Sequence, residues 1–163
     1  MTKAIERFID LVGRATAWLS LVIVVLMATN VVLRYLFSYG SVWSQELEWH
    51  LLVPLILFAV AWGFQKGEHV RVDVVYGRFS ERNKERVNLL AAVLCLGISI
   101  VVVWLSIKYV QQAYVIGEKS PDPGGLTHRW VLKALIPAGF VLLALQSLAE
   151  VAKSWTRLRR PAP

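Results

Sequence analysis

VNLLAAVLCLGISIVVVWLSI, residues 87–107, runs twenty-one residues without a charged side chain. At about 1.5 Å of rise per residue, a helix of that length crosses a hydrocarbon core about 30 Å thick. The stretch therefore predicts a membrane span. Outward from it the pattern recurs. Ala15–Leu33 is uncharged for nineteen residues, Leu51–Phe64 for fourteen and Ala134–Ala149 for sixteen. The last two reach spanning length only by taking in polar residues at one end, so three spans plus one re-entrant or interfacial helix is the competing arrangement. With 56% hydrophobic residues in 163, the chain reads as one all-α membrane domain, 1–163, with four transmembrane helices.

Basic residues between the spans set the orientation. Lys3, Arg7 and Arg14 precede the first span, while Lys66, Arg71, Arg78, Arg82, Lys84 and Arg86 separate the second from the third. Lys153, Arg157, Arg159 and Arg160 follow the fourth. The opposite side holds Arg34, Lys108, Lys119, Arg129 and Lys133, so the asymmetry is thirteen to five. Lys and Arg concentrate in cytoplasmic loops, which predicts both termini inside an inner membrane. The expected spans are about 15–35, 45–64, 81–116 (membrane part 87–107) and 131–151. A cytoplasmic loop at 65–80 and periplasmic loops at 36–44 and 117–130 connect them.

The formal charge of +7 is not read as nucleic-acid binding, because the basic residues flank apolar spans and suit anionic lipid headgroups. The single Cys95 lies within the third span as a small apolar filler. The first apolar run is longer than a signal h-region and lacks a small-residue cleavage pattern, so it is read as a retained anchor.

Local signals refine the outline. Ile5, Phe8, Ile9 and Val12 share one face of residues 3–14, predicting a short amphipathic helix at the interface. Ser44 is the expected N-cap of the second span, with Glu46 in its first turn, and Pro54 is expected to kink it. Residues 69–74 alternate polar and apolar, but an unpaired strand is disfavoured there and an interfacial turn is preferred. Ser80 is expected to cap a helix running without a breaker to Gly117. Pro121, Pro123, Gly124 and Gly125 then exclude helix from the loop that follows.

No catalytic constellation emerges. Glu46 and His50 share a helix face, yet one carboxylate and one imidazole do not make a metal site, and the HExxH spacing is missing. There is no phosphate-binding loop, and no cofactor is expected. Asn30, Arg34, Glu46, Glu48 and Gln146 would be costly facing lipid and should pair with protein groups. An Arg34–Glu46 ion pair closing the first hairpin is the specific expectation. With one mid-depth Asn and no buried acid, the spans offer no ion or substrate route, which favours scaffolding over transport by this chain itself.

Four segments carry a family resemblance: Asn30-Val-Val-Leu-Arg34-Tyr35, Trp43-Ser-Gln-Glu46-Leu47, Gly67-Glu-His69-Val70-Arg-Val72-Asp73 and Ile136-Pro137-Ala-Gly139-Phe140. In order and spacing they resemble the small membrane (Q, or DctQ-type) subunit of tripartite ATP-independent periplasmic (TRAP) transporters. The resemblance covers about residues 15–150. Ser120-Pro-Asp-Pro-Gly-Gly125-Leu126, followed by Arg129-Trp130 and Lys133, looks like a branch whose systems carry mannitol or chloroaromatic labels. Systems related to that branch are labelled for 2-oxo acids. The resemblance implies a sodium-driven transporter of organic acids in the bacterial inner membrane. A large multi-span subunit would carry the solute and a periplasmic binding protein would deliver it. This subunit, not an enzyme, would brace the large one and help dock the binding protein, through Tyr39, Ser120, Asp122, Gly124, Gly125, Arg129 and Trp130. The competing functions are a small redox or haem-anchoring subunit using His50, His69 and His128, and a self-sufficient small exporter.

Overall fold

Long uncharged runs leave backbone amides no partner but their own helix, and the chain obeys this over nearly its whole length. A computed structural model describes residues 2–67 and 76–159. Four helices fill them: α1 (Thr2–Phe37), α2 (Val42–Lys66), α3 (Glu81–Val115) and α4 (Arg129–Arg159). All four are long and apolar enough to cross a membrane, and among the described residues there is no strand. The start of α1, the end of α2, the start of α3 and the end of α4 lie together at one end, the termini end. The turns at 38–41 and 116–128 lie at the other, the loop end.

Capping explains where the helices stop. Gly117 takes φ 60, and the amides of Gly117 and Glu118 return to Tyr114 O and Ala113 O at 3.1 and 3.0 Å. That is a Schellman ending, which needs a left-handed residue at this position. Gly67 ends α2 as a left-handed C-cap with φ 75. The 35 residues of α3 make one helix about 50 Å long, as the absence of a breaker predicts. Pro54 and Pro137 both lie inside continuous helices.

Two expectations are corrected. The amphipathic lead-in is not a separate helix but the first three turns of α1. Gly13 does not break it, because the ring of Trp62 fills the space a side chain would occupy. Trp62 Nε1 donates to Asp10 Oδ1 at 3.1 Å, Lys66 pairs with the same oxygen at 3.0 Å, and Gln65 donates to Glu6 O at 2.8 Å. The end of α2 thus holds the start of α1 straight. Ser44 is also not the N-cap of α2. The helix starts at Val42 behind Ser41, and the Ser44 hydroxyl donates to Ser41 O at 2.9 Å instead of accepting a first-turn amide. Ser80 does occupy the N-cap position of α3, although its side chain makes no capping bond.

Helix α4 is the hub, touching the other three, whereas α3 packs chiefly on α4. The seam of α3 is Ala92, Ser99, Ser106 and Ala113, buried at intervals of seven residues. A sustained seven-residue period gives a left-handed crossing, and small side chains let the backbones approach. Helix α4 likewise buries small residues, Gly139, Ser147 and Ser154, among larger ones. The Ser99 hydroxyl donates to Cys95 O at 2.7 Å and that of Ser106 to Val103 O at 3.1 Å, so neither enters the seam unsatisfied. Helix α1 repeats the device with Ile9, Thr16 and Ile23. Ile9, Ala61, Leu142 and Leu143 form the core joining α1, α2 and α4. Gly139 is required there, since a Cβ would stand 2.7 Å from Leu57 Cβ.

Candidate docking site at the loop end

A carboxylate organises this end of the molecule. Glu46, on the first turns of α2, is only 5% exposed. One oxygen accepts the Ser120 hydroxyl and the other accepts the Leu126 amide at 2.6 Å. The loop closes on itself around that carboxylate. Ser120 N donates to Leu126 O at 3.0 Å, and Gly125 N to Asp122 O at 3.0 Å. Asp122 N donates to Ser120 Oγ at 3.2 Å. Bonds to a charged acceptor are the strong kind, so a loop rich in Pro and Gly is held in one shape.

The two glycines have different reasons. Gly124 turns the chain at φ 80, a left-handed conformation that disfavours any side chain. Gly125 must be bare because a Cβ would lie 2.9 Å from Glu46 Oε2 and collide with Ser120. Below the loop, Arg129 N reaches Glu118 O at 3.1 Å, and Lys133 forms an ion pair with the Glu118 carboxylate. The Lys133 ammonium also sits 3.9 Å from the Tyr109 ring centre. The Arg129 guanidinium lies 5.5 Å from the Trp49 ring, and Trp130 meets Tyr114 edge-on at 5.4 Å. Aromatic rings and cations thus lock α3, α4 and α2 together beneath the loop.

The predicted Arg34–Glu46 pair is absent. The Glu46 carboxylate is satisfied by the loop, eighty residues on in sequence for its Leu126 contact. Arg34 is exposed and makes no hydrogen bond, ion pair or ring contact among the described residues. The expectation of no buried acid also fails at Glu46. Asn30 does find a protein partner, donating to Glu48 Oε1 at 2.6 Å. Gln146 does not: it is fully buried on α4 with neither amide atom bonded among the described residues. Of the other anticipated positions, Trp43 and Tyr39 are exposed at this end, and Pro137 and Gly139 lie within α4. His69 and Asp73 lie outside the described residues.

Of the anticipated contact residues, Ser120 and Gly125 face Glu46, and Arg129 and Trp130 sit in the first turn of α4. Asp122, Gly124 and Tyr39 are exposed. The sequence pattern does not signal the Glu46–Leu126 bond, because the donor is a backbone amide.

No three His, Cys, Asp or Glu side chains converge as a metal site among the described residues. His50 Nδ1 lies 2.7 Å from Glu46 O on its own helix, and His128 contacts Thr127 at 2.8 Å in the loop. These commitments give the haem-anchoring alternative no support.

Four apolar helices with their polar contacts gathered at the two ends define a multi-pass membrane component. Residues 23–157 match the family described as tripartite ATP-independent periplasmic transporters, DctQ component, and the chain belongs to that family. It is therefore a transporter component of the bacterial inner membrane and not an enzyme. One curated relative is the C4-dicarboxylate TRAP transporter small permease protein DctQ of Pseudomonas aeruginosa, 27% identical over 111 residues. That alignment takes in 67% of this chain and 52% of the relative, so the chain spans about half the length of the curated relative it matches.

Proposed function

We propose that this chain is the small permease subunit of a sodium-driven TRAP transporter for organic acids, C4-dicarboxylates among them. It braces a large multi-span transport subunit and helps dock a periplasmic substrate-binding protein. The carrying observation is the distribution of polar chemistry. Bonded charges gather at the two ends of the bundle, at Asp10, Glu6 and Lys153 on one and Glu46, Glu118 and Lys133 on the other. Between them the buried seams hold small and uncharged side chains, and among the described residues no charged path for an anionic solute runs through them. A route for a carboxylate needs compensating charge at mid-depth.

The proposed orientation places both termini in the cytoplasm, following the thirteen-to-five distribution of Lys and Arg. The loop end then faces the periplasm, where a delivered protein arrives. In this reading Asp122, Gly124 and Tyr39 meet the binding protein, while Ser120, Gly125, Arg129 and Trp130 hold the surface from beneath. The substrate class comes from the family and from the name of the relative, and no side chain of this chain selects it.

Mild extraction of the tagged chain from its native membrane tests the assignment. A much larger multi-span membrane protein is expected in fixed ratio with it. Recovery of the chain from that membrane with no such partner alongside it would overturn the proposal.

A further inference from the structure

Arg34 is the one family-motif cation whose anticipated partner lies elsewhere. It borders a cleft of about 160 Å³ between the last turns of α1 and the start of α2, at the loop end. Half-buried Leu26 and Leu33 give it an apolar lining, and exposed Tyr39, Gly40 and Trp43 line it together with Arg34. The nearby carboxylate of Glu48 accepts from Asn30, and that of Glu46 is enclosed by the loop. Neither neutralises the guanidinium.

We infer that this cleft binds one glycerophospholipid of the loop-end leaflet, its phosphate on Arg34 and part of an acyl chain against Leu26 and Leu33. The chemistry of the cleft favours that occupant. A guanidinium presents paired donors that match phosphate geometry. Exposed Tyr and Trp in the lining suit the headgroup depth at which a phosphate lies. A soluble anion would gain nothing from the apolar lining, and a hydrocarbon alone would gain nothing from the cation. The lipid uses both. Bound there, it would seal the α1–α2 hairpin on the side that the absent ion pair leaves open.

The test counts phospholipid on the full-length chain, purified in a phosphorus-free maltoside detergent, by native mass spectrometry. Wild type is expected to retain one phospholipid. Arg34→Ala should lower the bound fraction about fivefold, the worth of one basic residue at a lipid surface, and Arg34→Lys should retain most of it. Gly40→Phe adds a ring to the lining of the cleft while keeping Arg34, at a position where a Cβ meets no atom within 4 Å. It should also displace the lipid, and it keeps the test decisive if Arg34→Ala folds poorly. Equal lipid occupancy in wild type and Gly40→Phe, or no retained phospholipid on wild type, would overturn the inference.

Discussion

Glu46 answers a different question from the one its position in the chain poses. Four residues before His50 and near Arg34 in the hairpin, it reads as half of an ion pair. In the fold it is an acceptor for a backbone amide and a hydroxyl of a distant loop. Removing it leaves both donors without their acceptor. Glu46→Ala should therefore make residues 117–128 markedly more sensitive to protease than wild type, with Glu46→Gln intermediate because one carbonyl oxygen survives. Arg34→Ala should leave that cleavage unchanged, an outcome opposite to the one an Arg34–Glu46 bridge would give. Gly125→Ala pushes a methyl group against Ser120 and Glu46. Overpacking of that kind costs about 1–3 kcal/mol. A lowered thermal midpoint in detergent, together with faster loop cleavage, is the expected reading.

At the level of helices, the α3–α4 seam holds the longest span in place through side chains small enough to let it approach. Ser99→Leu or Ser106→Leu inserts bulk where each residue is buried, and each should destabilise by about 1–3 kcal/mol. Ile98→Leu, on the exposed face of the same helix, should leave the isolated chain's thermal midpoint nearly unchanged. The same contrast explains what was legible beforehand. Spans one and three announce themselves by uncharged length, and Gly117 by the Pro- and Gly-rich run that follows it. Continuous α1 was hidden because the amphipathic pattern of residues 3–14, charged on one face, looks like a separate interfacial helix. Trp62, 52 residues beyond Asp10, supplies the packing and the Asp10 bond that hold it in line with the span. The hub role of α4 was equally out of reach, since a burial pattern shared by three neighbours does not resolve into one periodic stripe. Gln146 remains a polar group in the core that nothing in the structure explains.

Across the whole molecule, charge sits at the ends and small-residue packing fills the middle. Helices α1, α2 and α4 share one core and α3 lies along α4. Such a body suits a brace better than a moving carrier. The broad apolar faces of α1 and α3, where Val24, Val25, Leu94, Ile98 and Trp104 are exposed, are available to lipid or to a larger membrane partner. Under the proposed docking role, the hydrogen-bonded loop end would offer an arriving binding protein a preformed surface, which lowers the ordering cost of docking. Charge reversal by Asp122→Lys should weaken binding-protein capture by the assembled complex while leaving the thermal midpoint unchanged, readable by surface immobilisation of the complex.

The most direct measurement is uptake of a labelled C4-dicarboxylate into proteoliposomes under an inward sodium gradient. The chain is reconstituted alone, or with its large membrane partner and binding protein. No uptake above protein-free vesicles is expected from the chain alone, and sodium-dependent uptake is expected from the full set. Omission of this chain from that set should abolish or sharply reduce the flux. Uptake by the chain on its own, or undiminished uptake in its absence, would contradict its role as a non-conducting brace.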